Sequence, residues 1–161
     1  MPTNVTEWNI ENERKIIRRL GKGGFTSFVH HCDDEHALFD AEGVAPNGNP
    51  VLFEFRTRDK TGESLNKEGG QYLNCYKYWN GVHVARARRT TYVLIVCDSN
   101  GVLWFHVVWN ALMDDKKFLD NANMKYAVLT RSYEGKSRGQ DATDNCFAYN
   151  LRLTKFQDQG R

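Results

Sequence analysis

Two acidic residues stand on either side of a turn-forming segment in the first half of the chain. Asp40 lies in the stretch from Ala37 to Glu42, Glu54 lies in the stretch from Val51 to Arg58, and Pro46-Asn47-Gly48-Asn49-Pro50 separates them. Residues of this kind favour turns, so we predict a β-hairpin. If its arms pair in a suitable register, Asp40 and Glu54 lie close together. Neighbouring carboxylates repel each other and destabilise a sheet unless a cation lies between them. The pair therefore predicts a divalent metal site, the alternative being two solvated acids on an exposed face of the sheet.

Helices and strands are predicted around this hairpin from hydrophobic periodicity and turn residues. In chain order, they are a helix over 9–20, the hairpin arms 37–42 and 51–58, a loop over 61–70, a helix over 71–79 ending at 80–81, a basic stretch over 82–89 that is a short helix or a loop, a strand over 91–98, a returning strand over 102–109, a helix over 111–121, a strand over 126–130, a loop over 132–144 and a late strand over 146–153. The segment 25–36 fits either a strand or a helix. This order predicts an α/β or α+β sandwich with a mixed sheet.

Composition narrows the class of protein. The 161 residues are enough for one domain, expected over 1–161, and 22 basic against 20 acidic residues give a net charge of only +2. Bulk charge would therefore not bind nucleic acid, and local patches would have to do so. Four cysteines without a Cys-x-x-Cys pair predict free thiols. Since neither a signal sequence nor an apolar run of about 18 residues is present, we expect a soluble, intracellular, cytoplasmic protein.

The order of a helix, a strand ending in an acid, a strand carrying Glu-x-basic and a further helix resembles the PD-(D/E)XK nuclease superfamily, which includes restriction endonucleases and Holliday junction resolvases. Phe39-Asp40 and Glu54-Phe55-Arg56 carry the resemblance, with thirteen residues between the two acids. It implies a restriction endonuclease-like mixed β-sheet flanked by helices. It also implies that Asp40, Glu54 and the main-chain carbonyl of Phe55 bind Mg²⁺ or Mn²⁺. The chain departs from the family at Arg56, where lysine is usual.

The implied function is a metal-dependent nuclease that hydrolyses phosphodiester bonds of nucleic acid, with DNA as the expected substrate. The metal would activate water and stabilise charge on the phosphoryl group. Arg56 would stabilise that charge but would not act as a base, because arginine stays protonated. A homodimer is expected, since cutting two strands with a one-site domain requires two copies. Three interpretations of Arg56 remain open: an active enzyme with a variant site, a site completed by Lys60, or a non-catalytic nucleic-acid- or protein-binding module on the same fold.

Supporting residues follow from the same resemblance. Glu13 on the first helix matches the place from which some members supply a further metal-side carboxylate, and Gln71 with Tyr72 is similar to a glutamine-tyrosine element of exonuclease-like members. The alternatives are a solvated surface charge for Glu13 and a polar group at a helix start for Gln71. Either Asp33 or Asp34 becomes the catalytic acid if the first strand is shifted.

Two further groups of residues have chemistry of interest. The cluster from His30 to His36 is rich in metal-binding types, but adjacent ligands rarely converge on one ion, so a polar loop is favoured over a zinc site. Tyr76, Tyr78 and Trp79 lie among cations and could stack on unpaired bases, the alternative being core aromatics beside solvated charge. The cations expected to bind phosphates are Lys77, Arg86, Arg88, Arg89, Lys136 and Arg138.

Overall fold

The computed structural model describes residues 4–33, 37–111, 124–130 and 145–156, and every structural statement below refers to these ranges. The elements in chain order are α1 (Asn4–Lys22), β1 (Thr26–His30), β2 (Ala41–Val44), β3 (Pro50–Thr57), α2 (Gly62–Lys67), β4 (Gln71–Asn74), α3 (Cys75–Arg88), β5 (Thr91–Cys97), β6 (Leu103–Trp109), β7 (Met124–Thr130), β8 (Asn145–Leu151) and β9 (Thr154–Lys155).

Six strands form the main sheet in the order β1-β2-β3-β5-β6-β9, and β4-β8-β7 form a second, antiparallel sheet. In the main sheet β3 and β5 are parallel, while the other neighbours are antiparallel. The predicted α+β fold class with a mixed sheet flanked by helices is therefore confirmed. Because β3 lies between β2 and β5, most of its side chains are buried on both faces.

The two faces of β3 contact different helices. Phe53 and Phe55 pack with Ile16 and Leu20 of α1, whereas Leu52 packs with residues of α3 and the second sheet. Side chains along a strand alternate between faces. Glu54 therefore points to the α3 side. There it contacts Lys77, which lies in the first turn of α3.

The predicted helix over 71–79 is wrong at its beginning and at its end. Residues Gln71–Asn74 form strand β4, and α3 begins at Cys75, where the Asn74 side chain accepts the N–H of Tyr76 at 2.7 Å. This is a helix N-cap. The helix continues through Gly81 because that residue packs against the ring of Tyr92, where a Cβ atom would lie 2.1 Å from the ring. The glycine thus permits close packing and does not end the helix.

Other boundaries also differ from prediction. The first helix is longer than 9–20, the ambiguous segment contains strand β1, and the predicted loop over 61–70 contains α2, capped by Thr61. The first hairpin arm is regular only from Ala41. The strands over 91–98 and 102–109 are confirmed within one residue, and the late strands correspond to β7 and β8.

Some of the predictions concern residues outside the described ranges. The helix over 111–121, apart from its first residue, and the loop over 132–144, which contains Lys136 and Arg138, lie outside the described residues. Within the described ranges, no helix combines the length and apolar character needed to cross a membrane.

Candidate active site

The pairing of β2 with β3 places the two acids of the hairpin beside each other. Ala41 pairs with Phe53, and the N–H of Asp40 donates to the carbonyl of Phe53 at 3.0 Å. The N–H of Phe55 donates in turn to Oδ2 of Asp40 at 2.8 Å. Asp40 is therefore fixed immediately before β2, next to Glu54 on the central strand.

Asp40 carries a strongly shifted pKa. Burial is the largest cause, and the negative charges of Glu54 and Glu13 add to it, so that the pKa of Asp40 rises to about 7. The hydrogen bond from Phe55 and the charge of Lys77 oppose the rise. Near neutral pH this carboxyl group therefore exchanges a proton readily, and a nearby cation would favour its ionised form.

Glu54 is fully buried, with 0% of its surface exposed. Its Oε2 atom accepts hydrogen bonds from Nζ of Lys77 at 2.9 Å and from the guanidinium of Arg56. Its Oε1 atom is buried and has no hydrogen-bond partner among the described residues. Leaving a buried carboxylate oxygen unpaired is costly, so a ligand that bound this oxygen would stabilise the site.

Arg56 supplies a fixed positive charge to this site. Its Nη1 donates to the carbonyl of Phe55 at 2.8 Å as well as to Glu54. Burial alone would lower the pKa of Arg56, but the charge and hydrogen bond of Glu54 outweigh burial and raise it. The guanidinium is therefore always protonated, and it engages two of the atoms that the resemblance assigns to the metal.

The oxygen atoms of the site that could act as metal ligands suit a small, hard cation. Mg²⁺ and Mn²⁺ prefer carboxylate oxygens, and the unpartnered Oε1 of Glu54 beside Asp40 meets that preference. The carbonyl of Phe55 meets it less well because Arg56 already bonds to it. In the described part of the chain, no three His, Cys, Asp or Glu side chains form a ready-made metal cluster. Asp40 and Glu54 are therefore the two carboxylates that could hold such an ion.

Glu13 and Glu42 each contact one of two neighbouring histidines. Glu13 lies close enough to raise the pKa of Asp40, and its Oε1 is 2.8 Å from Nε2 of His30. His31 instead contacts Glu42 at 2.7 Å. The neighbouring histidines thus bind different carboxylates and do not converge on one ion. Asp33 is exposed, and residues 34–36 are outside the described ranges.

The other two supporting residues, Lys60 and Gln71, contact residues other than Asp40 and Glu54. Nζ of Lys60 pairs with Glu68 on the surface, at 2.8 and 3.0 Å from its two oxygens. Gln71 is buried in β4, where its Oε1 accepts from Nε of Arg58 at 2.8 Å. Lys60 therefore engages Glu68, whereas Gln71 contacts Arg58, which directly follows β3.

Of the cations expected to bind phosphates, Lys77 contacts Glu54, an acid of the site, at 2.9 Å. Arg86, Arg88 and Arg89 are exposed at the end of α3, and Arg88 lies 3.4 Å from Glu42. Among the aromatic residues, Tyr78 is completely buried and cannot stack on a base.

Sequence reasoning missed two features of this site. One is the contact between the Lys77 ammonium and Glu54, which adds to the predicted phosphate binding by Lys77. Recognition of Asn74 as a helix cap would have placed Lys77 in the first turn of α3. The hydroxyl of Tyr92 is buried without a partner among the described residues. Burial and then the charge of Glu54 raise the pKa of Tyr92. Its place beside Glu54 depends on the parallel register of β3 and β5, which no local pattern reveals.

The similarity of this chain to known proteins is one of structure. No protein-family model matches the chain, and no curated protein matches it. Among solved structures, the chain is similar to Hjc, a Holliday junction resolvase from the archaeal hyperthermophile Archaeoglobus fulgidus. The identity is 17%, the TM-score is 0.47, and the match covers 60% of this chain and 74% of that chain. A similarity of this size does not by itself assign an activity.

Proposed function

We propose that the protein is a metal-dependent nuclease that hydrolyses phosphodiester bonds of nucleic acid, with DNA as the expected substrate. The observation that carries the proposal is the buried Glu54, which binds Lys77 and Arg56 through one oxygen and leaves the other without a partner among the described residues. Asp40, with its raised pKa, stands beside it. Strongly shifted carboxyl groups of this kind concentrate at functional sites.

The metal of this proposal is Mg²⁺ or Mn²⁺, held by Asp40 and Glu54. When bound, such an ion lowers the pKa of a coordinated water and stabilises negative charge on the phosphoryl group. Asp40 can give up its proton near neutral pH, because its pKa is about 7. The same carboxyl group therefore changes from a neutral group to an anionic ligand over an accessible range of pH.

Lys77 and Arg56 contribute fixed positive charge to the reaction. The Lys77 side chain is 41% exposed although its ammonium contacts Glu54, so it can reach a phosphate that approaches from solvent. Arg56 is less exposed and holds the carbonyl of Phe55. Cations held in place before the reaction stabilise charge as it develops, without the cost of reorganisation. We assign the contact with phosphate to Lys77 and the fixing of Glu54 to Arg56.

The test is cleavage of plasmid, linear duplex DNA, single-stranded DNA and RNA by purified protein with Mg²⁺, with Mn²⁺ and with EDTA. Asp40→Asn and Glu54→Gln preserve side-chain shape and should each lower metal-dependent cleavage by about 100-fold or more. Glu68→Gln, at an exposed acid that pairs with Lys60, is the matched control. Cleavage by both site variants at the wild-type rate would refute the proposal.

A second candidate function, a non-catalytic binding module, is favoured by one observation. Arg56 bonds to both Glu54 and the carbonyl of Phe55, and thereby uses atoms that a metal would otherwise need. Calorimetric titration with Mn²⁺ separates the two candidates. Absence of binding heat, together with salt-sensitive binding to nucleic acid, would favour the module.

The homodimer is a proposal linked to duplex cleavage, because one site cuts one strand. Light scattering coupled to size-exclusion chromatography measures the mass. A monomer that cuts duplex DNA only by separate nicks would contradict the dimer.

A further inference from the structure

An aromatic stripe runs along the exposed face of α3. Tyr76, Trp79, His83 and Arg86 are all exposed, and their spacing of three, four and three residues places them on one side of a helix. The opposite side of α3 is formed by buried residues that include Tyr78, Val82 and Ala85. The stripe is thus a surface distinct from the core.

The two aromatic residues of the stripe are strongly exposed. Tyr76 is 74% exposed and Trp79 is 43% exposed. The indole N–H of Trp79 donates to the hydroxyl of Tyr149 at 2.8 Å, and its ring packs edge-on against Tyr78 with centroids 5.0 Å apart. The indole is therefore held in one orientation while much of it faces solvent. Rigid exposed aromatic groups are typical of recognition surfaces.

Charge and position point to an anionic ligand. The sequence of α3 is CYKYWNGVHVARAR. It contains one lysine, one histidine and two arginines, and it contains no acidic residue. Tyr76 immediately precedes Lys77, whose ammonium contacts Glu54. The stripe therefore begins beside the candidate active site and continues towards the cationic end of the helix.

We propose that Tyr76 and Trp79 stack on unpaired bases, and that the substrate class is single-stranded nucleic acid or a single-stranded region of a larger molecule. This inference rests on the proposed nuclease function. Bases within a duplex are stacked on their neighbours and do not offer a free face, whereas every unpaired base does. The phosphate next to a base on Tyr76 would lie near Lys77, and the chain would then lead into the site.

Binding is measured in EDTA, so that no cleavage is needed, by the fluorescence anisotropy of labelled oligothymidylate, oligouridylate and a blunt duplex, each of about twenty nucleotides or base pairs. We expect at least one single strand to bind about tenfold or more tightly than the duplex. Tyr76→Ala should weaken that binding by about 5- to 100-fold. Tyr76→Phe, which keeps the ring, should bind like the wild type.

Two further variants make the test specific. Trp8→Ala removes an exposed indole, 58% exposed, from α1, and should leave binding unchanged. Trp79→Leu, checked for folding by circular dichroism because Trp79 contacts Tyr149, should weaken binding as Tyr76→Ala does.

Equal affinity for duplex and single strands, or wild-type binding by both Tyr76→Ala and Trp79→Leu, would overturn the inference. Failure of the nuclease proposal has a different signature: binding that depends on Tyr76 together with no metal-dependent cleavage. If the protein cleaves nucleic acid and Tyr76→Ala changes neither the affinity nor the cleavage rate, the nuclease proposal stands and the proposed role of the stripe is refuted.

Discussion

Replacement of Asp40 by asparagine should make the metal-free protein more stable than the wild type, by an amount that grows as pH rises. Asparagine has nearly the same shape as aspartic acid, and its side-chain oxygen can still accept the N–H of Phe55. It removes only the ability to ionise beside Glu54 and Glu13. If the ionised form of Asp40 destabilises the folded protein, this substitution removes that destabilisation.

The expected magnitude follows from the pKa of Asp40, which burial, Glu54 and Glu13 raise from 3.8 to about 7. Between these values the folded state holds a proton that the unfolded state has lost, so the wild type loses stability as pH rises and reaches its plateau above the folded pKa. Each pH unit in this interval corresponds to about 1.4 kcal/mol. From about pH 5 to about pH 8 the advantage of Asp40→Asn should therefore grow by about 1–3 kcal/mol, the lower figure allowing for hydration of a carboxyl that is only partly buried.

Urea denaturation followed by circular dichroism, in EDTA at several pH values, measures this difference. Asp59→Asn changes the same residue type at an exposed position and is the matched control. An advantage of Asp40→Asn that stays flat, or declines, between about pH 5 and about pH 8 would refute the electrostatic account of the site.

Three further outcomes are expected. Lys77→Ala should lower metal-dependent cleavage by about 100-fold, whereas Lys60→Ala, which breaks a surface pair, should not change it in the same assay. Gly81→Ala should lower the free energy of unfolding by at least about 2 kcal/mol because the new methyl group meets a tyrosine ring, while Gly21→Ala, with open space around it, should raise it by up to about 1 kcal/mol. Burial opposes the ionisation of Asp98, but four hydrogen bonds to it prevail and lower its pKa. Asp98→Asn should therefore cost about 2–3 kcal/mol near neutral pH, and this cost in urea denaturation should shrink as acid protonates the wild-type carboxylate.

The hairpin could be predicted from sequence because its signals are local. A turn-rich segment between two apolar arms fixes the pairing of Ala41 with Phe53, and that register decides which acids meet. The parallel pairing of β3 with β5 has no such local signal, since the two strands are separated by α2, β4 and α3. For that reason Tyr92 could not be placed beside Glu54 in advance.

The error at α3 has a different physical origin. Tyr72, Leu73, Tyr76 and Trp79 fit a helical period, but Tyr72 and Leu73 belong to an antiparallel strand paired with β8. Tertiary pairing prevails over a periodicity of only a few residues. Asn-Gly normally favours a turn, yet Gly81 stays helical because only a residue without a side chain fits against Tyr92.

Charge counting relates the unusual Arg56 to the raised pKa of Asp40. Three carboxylates, Glu13, Asp40 and Glu54, act on one another, and two cations, Arg56 and Lys77, contact Glu54. With all groups ionised the acids exceed the cations by one charge, and a proton on Asp40 removes that excess. A divalent ion in place of the proton would leave the site with one excess positive charge, which attracts a phosphodiester. Under the proposed function, Arg56 would not substitute for a metal; together with Lys77 it would set the charge of the site before a metal and a substrate bind.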